Sequence, residues 1–365
     1  MRLGVDVSSY LDERDNNIKY FDNGKEVDPY QLLKNNNVNL IRLRVWNDPY
    51  SEDGKPYLAG TNSVDRDIEI IEELKKYNFD YLINFHYSDF WVDPGKQTLP
   101  KAWKSLSFEE LLAAVYDFTK ESLLKFKALG INIPYVQIGN EITKGIMWPM
   151  GQIIENDEGK IREGYPHLIK LLNQGIKAAR EVLPEVKIII HLEKSDDYKI
   201  YQEYFTELEK AHVNYDVIGM SYYPYWHGTF EQLFFNIDNC RNLFHKNVMI
   251  METSYGFTLE DYMVSSDGIN QMKAGQDGHR PYPITKEGQA QFVSELIRLS
   301  KEKDIEGIVY WEPLWLPNED KICWCSLEAQ EYINEVGKST RNEWSNQCLF
   351  DYKGNKLPAF DKYKL

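Results

Sequence analysis

The stretch IPYVQIGNE, residues 133–141, joins an apolar run to a polar end, because Asn140 and Glu141 follow its branched and aromatic side chains directly. A run of this length and composition is typical of a buried β-strand. Its terminal carboxylate allows two interpretations. Glu141 either caps a helix or pairs with a charge inside the fold, or it is a proton donor at the mouth of a site.

Seven further runs of this kind lie along the chain, separated by longer segments. They are LGVDVSS near the amino terminus and residues 39–46, 79–89, 186–193, 215–224, 247–255 and 306–315. Apolar residues recur at helical spacing in residues 66–77, 108–130, 166–183 and 286–304. Strands that alternate with helices predict a parallel sheet with crossover connections.

Eight such units within 365 residues predict an α/β fold, a (β/α)₈ TIM barrel. The competing doubly wound sheet would need a glycine-rich phosphate turn after its first strand, and VDVSSYLDERD has none. We therefore expect a single barrel domain over residues 1–365, with a long loop after strand eight.

Charge and composition indicate which kinds of molecule the chain can bind. The chain carries 42 Lys and Arg against 57 Asp and Glu, a net charge of −15, which disfavours binding to nucleic acid. No segment approaches the roughly 20 apolar residues that span a bilayer. Aromatic residues make up 14% of the chain. They either fill the core or line a cleft in which rings stack on sugar faces.

Metal and serine chemistry lack their usual motifs. Seven histidines are scattered without H-x-H or H-E-x-x-H spacing, and G-x-S-x-G is absent. The C-x-C pair Cys323 and Cys325 lacks the two-pair spacing of a zinc site. Either of them bridges Cys348, or the thiols are free. We therefore expect no cofactor.

In a barrel of this type, chemistry gathers at the carboxyl ends of the strands. The residues at or near the predicted ends are Arg42, Arg44, Trp46, His86, Tyr87, Asp89, Trp91, Asn140, Glu141, His191, Glu193, Tyr222, Tyr223, Glu252, Trp311 and Glu312. Each has a structural alternative: Arg44 as a buried counter-ion, Trp311 as core. Glu141 and Glu252, on strands four and seven, are predicted to face each other across the barrel mouth.

Two facing carboxyl groups are what glycoside hydrolysis requires, one to protonate the leaving oxygen and one to attack or support the anomeric carbon. We expect Arg44 to keep the nucleophile ionised and Tyr223 to donate a hydrogen bond to it. Asn140 is expected to hold the sugar 2-hydroxyl. Apolar neighbours in sequence, Ile138, Ile142 and Trp148, are expected to raise the pKa of the acid. Glu312, one residue beyond Trp311, is interpreted as structural.

Several motifs also resemble a known family. They are GVDVSS, RLRVW, FHYSDFWVDPGKQTLPKAW, VQIGNEITKGIMWP, SYYPYW, METSY and YWEPLW, in this order from about Gly4 to Trp315. The set resembles the arabinogalactan endo-β-1,4-galactanases, glycoside hydrolase family 53. SD-x-W-x-DPG-x-Q followed by P-x-x-W is specific to that family, whereas GNE is shared across a wider clan.

The resemblance implies a retaining endo-hydrolase of β-1,4-galactan, the side chains of pectin, acting on the polymer or on galacto-oligosaccharides. It implies Glu141 as acid/base and Glu252 as nucleophile, and it places Trp91 and Trp311 at sugar subsites. The remaining residues that we expect to bind substrate or to support the site are Arg44, His86, Asp89, Asn140, Tyr223 and Trp315.

Some bacterial members of that family bind calcium after the seventh strand. Here the segment TLEDYMVSSDGINQMKAGQDGHRPYP has acids but no evenly spaced Asp-x-Asp-x-His-x-Asn run, which argues against calcium. No signal peptide is visible in MRLGVDVSSY, so either the protein is cytosolic or a leader is missing from this sequence. Members of the family that it resembles are mostly exported. We therefore expect a secreted or cell-surface protein, with a cytoplasmic location left open, and a monomer.

Other functions stay open at this point. Another retaining enzyme of the clan, a β-mannanase or β-xylanase, would share the strand-end residues. An exo-acting oligosaccharide hydrolase would need a cleft blocked at one end. A non-catalytic glycan-binding barrel would keep the aromatic residues and lose a carboxylate, and both carboxylates are present.

Overall fold

The computed structural model describes residues 1–155, 162–263, 269–275, 278–318 and 321–364. Eight parallel strands close into a barrel in chain order, with the eighth pairing to the first. They are β1 (Arg2–Asp6), β2 (Leu40–Val45), β3 (Asp80–Phe85), β4 (Tyr135–Ile138), β5 (Lys187–Leu192), β6 (Val217–Tyr222), β7 (Asn247–Thr253) and β8 (Gly307–Trp311). Each predicted run overlaps one of these strands, so the (β/α)₈ prediction is confirmed.

Within the described ranges, seven helices connect successive strands. They are α1 (Pro29–Asn35), α2 (Val64–Leu74), α3 (Phe108–Ala128), α4 (Tyr165–Val182), α5 (Tyr198–Lys210), α6 (Phe230–Phe244) and α7 (Lys286–Glu302). After β8 a long loop leads to the 3₁₀ helix Pro358–Lys364, which packs against α7. The four helical segments predicted from apolar spacing correspond to α2, α3, α4 and α7. No helix in the described ranges is long and apolar enough to cross a membrane.

Smaller elements decorate the barrel. Short helices cover Tyr10–Asp15, Pro224–His227 and Leu327–Tyr332, with 3₁₀ turns at Lys75–Tyr77, Lys101–Trp103 and Ser345–Gln347. Antiparallel ribbons pair Tyr20–Asp22 with Lys25–Val27, Gly145–Ile146 with Gly151–Gln152, and Ile154–Glu155 with Arg162–Glu163.

Polar caps set where the longer helices begin. Ser107 and Glu110 form a capping box at the start of α3, and Thr229 and Gln232 form another at the start of α6. Each box satisfies backbone N–H groups that the first turn leaves without a partner. A cap of this kind contributes about 0.5–2 kcal/mol, which fixes the helix start and the length of the loop before it.

The barrel interior changes from apolar to polar along the strands. One buried cluster consists of Leu40, Leu82, Tyr135, Ile189, Val217, Met249, Met251 and Val309. Alternate strand residues share a face, so the residue two positions further on lies on the same inward face. Four of these positions hold the polar residues Arg42, Asn84, Gln137 and His191, and Trp311 follows Val309, whereas Gly219 and Met251 follow Val217 and Met249. The strand pattern thus builds an apolar floor under a polar mouth.

A buried ionic chain links β1, β2 and the residue after β8. Asp6 accepts hydrogen bonds from Arg42 and Arg44, both at 2.9 Å. Arg44 also donates to Glu312 at 2.6 Å. These four side chains are at most 1% exposed. Buried charges of this kind are tolerated only when they are paired, so the chain fixes the relative positions of three neighbouring strands.

The position of one proton follows from Ser9. Its hydroxyl oxygen lies 2.6 Å from Glu13 Oε1 and 2.5 Å from Glu312 Oε2, yet a hydroxyl has one proton to give. One carboxyl must therefore be protonated. Burial raises the pKa of Glu312 to about 7, although Arg44 opposes that rise. Burial and the charge of Glu312 raise the pKa of Glu13 well above its usual range, and no arginine in the described ranges bonds Glu13 to oppose this rise. Glu13 is thus neutral and donates to Ser9, which donates to Glu312.

We predict that Glu13→Gln makes the protein progressively more stable than the wild type as the pH rises. The pKa of Glu13 is higher in the folded protein than in the unfolded chain, where it is 4.5. Glu13 therefore contributes stability that is fully present below pH 4.5. That contribution is lost as the pH rises toward the folded pKa. Gln stays neutral throughout. Urea unfolding between about pH 5 and pH 8 measures the difference in unfolding free energy.

The exposed Glu185→Gln is the matched control, because it removes a carboxylate from the surface. A difference between the Glu13 variant and the wild type that stays constant across this pH range would show that Glu13 is ionised in the folded protein.

Candidate active site

A cavity of about 520 Å³ opens at the carboxyl ends of the strands. Its volume lies within the range of pockets that bind small ligands. Eight of the predicted site residues line it: Arg44, His86, Trp91, Asn140, Glu141, Tyr223, Glu252 and Trp311. Strands from opposite sides of the barrel therefore bring both predicted catalytic carboxyl groups to one cavity.

Glu141 is held by a hydrogen-bond chain from β5 and β6. Ser221 Oγ donates to Glu141 Oε1 at 2.6 Å, and His191 Nε2 lies 2.9 Å from Ser221 Oγ. The backbone of Glu141 is left-handed, with φ of +49°, a conformation that costs about 1–3 kcal/mol. Burial, then the charges of Glu252 and Glu193, raise the pKa of Glu141 well above its usual range. The structure thus favours a protonated Glu141.

The direction of this chain follows from the environment of His191. His191 Nδ1 lies 3.1 Å from Gln137 Nε2 and 3.2 Å from Asn140 Oδ1. Asn140 Oδ1 already accepts hydrogen bonds from Arg42 and Asn84, so we infer that Nδ1 accepts from Gln137 and that the proton lies on Nε2. Burial and the charge of Arg42 lower the pKa of His191 well below its usual range, so the ring is neutral. His191 donates to Ser221, and Ser221 donates to Glu141 Oε1. The other oxygen of Glu141 is therefore left to hold the mobile proton.

Glu252 has a charged environment instead. It is 7% exposed at the end of β7. Arg42 Nη2 donates to its Oε1 at 2.9 Å, and the Tyr223 hydroxyl donates to its Oε2 at 3.0 Å. Burial raises the pKa of Glu252, while Arg42 and Tyr223 oppose that rise. Of the two carboxyl groups, Glu252 is the one whose ionised form the protein stabilises.

The arginine that contacts Glu252 differs from the expected one. We expected Arg44 near this carboxylate, but the hydrogen bond comes from Arg42. Both arginines lie on the inward face of β2, because they are two residues apart. Arg44 is occupied by Asp6 and Glu312, and its guanidinium carbon lies 4.5 Å from the Trp91 ring centre. Arg44 therefore lines the cavity without bonding directly to Glu252.

His86 and Asn140 are positioned by neighbours. Trp46 Nε1 donates to His86 Nδ1 at 3.1 Å, so the His86 proton lies on Nε2. This Nε2 is buried and has no hydrogen-bond partner among the described residues. Asn140 Oδ1 accepts from Arg42 at 2.8 Å, and its Nδ2 donates to the Val92 carbonyl at 3.2 Å. Both side chains are fixed at the cavity wall before any ligand binds.

Asp89 and Trp315 lie outside the cavity lining. Asp89 accepts hydrogen bonds from the backbone of Asp48 and from the backbone and ammonium of Lys101, at 2.8–3.0 Å. It therefore fastens two loops to each other. Trp315 is fully buried and packs against Trp91. Both residues support the site from behind, and neither is placed to touch a ligand in the cavity.

A tryptophan wall forms one side of the cavity. Trp91 and Trp324 stack with ring centres 4.9 Å apart, and Trp311 meets Trp344 edge to face at 4.6 Å. All four rings line the cavity, together with Trp226 from the segment after β6. The loop after β8 supplies Trp324 and Trp344, so it extends the cavity instead of only covering the barrel end.

Sequence reasoning left several functional positions without a role. Arg42 and His191 were named at strand ends but given no part in the chemistry, and Gln137 was not named. Alternation along β2, β4 and β5 from the apolar floor places all three on the inward face. Ser221, in the SYYPYW motif, is marked only by its position near the end of β6. No sequence signal indicates that Glu193 lies beside Glu141, because their contact depends on how the ends of β4 and β5 meet.

The described residues form neither a metal site nor a disulfide to Cys348. In the described ranges, no group of three or more His, Cys, Asp or Glu residues is arranged to hold a metal ion. Residues 264–268 and 276–277 of the segment considered for calcium lie outside those ranges. Cys325 and Cys348 are buried thiols, so the bridge considered to Cys348 is not formed.

Comparison with known proteins agrees with this geometry. Residues 2–363 match the model of glycosyl hydrolase family 53. The endo-β-1,4-galactanase of Bacillus subtilis is 35% identical, over 99% of this chain and 85% of the relative. The arabinogalactan endo-β-1,4-galactanase of Cellvibrio japonicus is 30% identical, over 99% of this chain and 90% of the relative.

The solved structures include a similar barrel. The family 53 catalytic domain of Ignisphaera aggregans is 36% identical and superimposes with a TM-score of 0.84, covering 100% of this chain and 95% of that one. Sequence and fold therefore agree over nearly the whole length, and the chain belongs to glycosyl hydrolase family 53 as a glycoside hydrolase.

Proposed function

We propose that this enzyme cleaves β-1,4-galactan internally with retention of configuration, Glu141 acting as acid/base and Glu252 as nucleophile. The observation that carries the mechanism is the contrast between the two carboxyl groups in one cavity. Glu141 is bonded by a neutral Ser–His chain, whereas Glu252 is bonded by a guanidinium and a phenol. The galactan substrate is supported by the names of the relatives from Bacillus subtilis and Cellvibrio japonicus.

In the first step, a Glu252 oxygen attacks the anomeric carbon while the bond to the glycosidic oxygen breaks. Glu141 gives its proton to that oxygen, so the leaving chain departs as a neutral alcohol. Transfer of the Glu252 charge into the new bond weakens its pairing with Arg42. Asp6 remains as the second partner of Arg42, so the guanidinium is not left alone in the barrel.

In the second step, ionised Glu141 takes a proton from water as the water attacks the anomeric carbon. The bond to Glu252 breaks, and both carboxyl groups return to their starting states. Two displacements at one carbon retain its configuration. This mechanism predicts a carboxyl separation of about 5–5.5 Å, whereas inversion needs about 6.5–9.5 Å to admit a water molecule.

The cavity wall supplies binding groups for this chemistry. We infer that the unpartnered His86 Nε2–H donates to a sugar hydroxyl and that the fixed amide of Asn140 holds the 2-hydroxyl beside Glu141. The tryptophan wall offers ring faces for the apolar faces of galactose units. Arg44, held over Trp91 and away from Glu252, keeps this wall in place.

Product analysis tests the proposed substrate. The enzyme is incubated with β-1,4-galactan, β-mannan, β-xylan and cellulose, and released sugars are identified by chromatography and mass spectrometry. We predict galacto-oligosaccharides of mixed length early in the reaction with galactan. Faster release from mannan or xylan would contradict galactan as the substrate, and release of single sugars from one chain end would contradict internal cleavage.

We also predict that Tyr223→Phe shifts the acidic limb of the kcat/KM profile to higher pH. The Tyr223 hydrogen bond favours ionised Glu252, so its loss raises the pKa of Glu252. A hydrogen bond to a charged group contributes about 1.5–3 kcal/mol, and about 1.36 kcal/mol corresponds to one pKa unit. We therefore expect a shift of about one unit or more.

Tyr222→Phe is the matched control, because Tyr222 is the adjacent residue and its hydroxyl bonds the Gly228 carbonyl. If Tyr223→Phe lowered kcat/KM equally at every pH, the phenol would not be tuning Glu252.

A further inference from the structure

A third carboxyl group in the cavity has no part in the mechanism above. Glu193 directly follows β5, is 4% exposed and lines the cavity. Its Oε2 accepts a hydrogen bond from Thr143 Oγ1 at 2.6 Å. Its Oε1 is buried and has no hydrogen-bond partner among the described residues. A buried acceptor without a partner is costly, so an oxygen kept in this state at a cavity points to a donor on a ligand.

The support of Glu193 does not depend on that oxygen. Its backbone carbonyl, and that of Leu192, accept from the Tyr201 hydroxyl at 2.9 Å. Thr143 fixes the other carboxyl oxygen. The protein thus holds both the backbone of Glu193 and one of its carboxyl oxygens. A purely structural role would not explain why Oε1 has no hydrogen-bond partner.

Glu193 lies on the acid side of the cavity. β5 is the neighbour of β4, and Thr143 comes two residues after Glu141. The charge of Glu193 is among the causes that raise the pKa of Glu141. Glu252, in contrast, is bonded by Arg42 and Tyr223.

The acid must reach the glycosidic oxygen, while the nucleophile reaches the anomeric carbon. The sugar that leaves with the glycosidic oxygen therefore lies toward Glu141 and Glu193. Its ring carries several hydroxyl groups, which are the hydrogen-bond donors that Oε1 lacks.

We propose that Glu193 accepts a hydrogen bond from a hydroxyl of the sugar unit on the leaving-group side of the cleaved bond. Glu193 is then a specificity-determining residue that selects a sugar over another leaving group, and in the second step selects a sugar acceptor over water. The inference rests on the proposed function, because it needs an oligosaccharide cleaved between Glu141 and Glu252.

Glu193→Gln and Glu193→Ala test the inference with two substrates. One is a galacto-oligosaccharide that places a sugar on the leaving-group side. The other is phenyl β-galactobioside, whose leaving group has no hydroxyl groups but still needs a proton from Glu141. Loss of the Glu193 charge acts on Glu141 with either substrate. We therefore expect the ratio of kcat/KM for the oligosaccharide to kcat/KM for the phenyl glycoside to fall about tenfold or more.

Transfer to a sugar acceptor gives a second, independent result. With phenyl β-galactobioside as donor and galactobiose as acceptor, the ratio of transfer product to hydrolysis product should fall in both Glu193 variants. The exposed Glu185→Gln is the matched control and should change neither ratio. Circular dichroism and melting temperature show whether the variants remain folded.

Each other outcome is decisive. If both substrates slow equally in folded variants, Glu193 acts through Glu141 or through the fold, and the proposal is wrong. If neither slows and transfer is unchanged, Oε1 meets no sugar, and the proposal is also wrong. A wild-type enzyme that cleaves phenyl β-galactobioside and galacto-oligosaccharides keeps the proposed function intact in either case; one that cleaves neither overturns both.

Discussion

The carboxylate of Asp6 is the interaction on which the active site depends. It lies between Arg42 and Arg44, which in turn contact Glu252 and Glu312. The result is an alternating chain of five charges at the mouth of the barrel. Because four of its members are at most 1% exposed, removal of any one would leave a buried partner without compensation. The position of Glu252 on β7 is therefore fixed by contacts that reach across the barrel mouth to β2 and β1.

The two catalytic carboxyl groups differ in the side chains that hydrogen-bond to them. A neutral histidine and a serine bond Glu141, so nothing in its direct contacts favours its charge strongly. An ionic chain bonds Glu252, and its charge is matched at once by Arg42. Burial raises both pKa values, and the difference in partners separates them. A difference in pKa between two carboxyl groups allows one to act as the acid and the other as the nucleophile.

Much of the fold was predictable because strand and helix periodicities are local properties. Each of the eight apolar runs overlaps one barrel strand, and Glu141 and Glu252 lie in the cavity as their strand-end positions indicated. The choice between Arg42 and Arg44 was not predictable from alternation, because both share one face of β2. It depends on which carboxylates the neighbouring strands present, and these are long-range contacts.

Other features depend on packing that no local pattern encodes. The protonation of Glu13 is deduced from the two short contacts of the Ser9 hydroxyl. One of them joins Ser9 to Glu312, which lies over 300 positions away in the sequence. Trp324 and Trp344 reach the cavity because the loop after β8 folds back over Trp91 and Trp311. Sequence analysis identified a long loop after strand eight, but the loop lacks a strand or helix period that would set its path.

The most direct test of the account is to trap the intermediate on the nucleophile. The enzyme is treated with an activated 2-deoxy-2-fluoro-galactoside, which slows the second displacement, and then digested and sequenced by mass spectrometry. The account predicts one covalent sugar, attached to the peptide residue Glu252, and no label when Glu252 is replaced by Gln. A label on Glu141, Glu193 or Glu312, or turnover with inversion and no covalent intermediate, would contradict it.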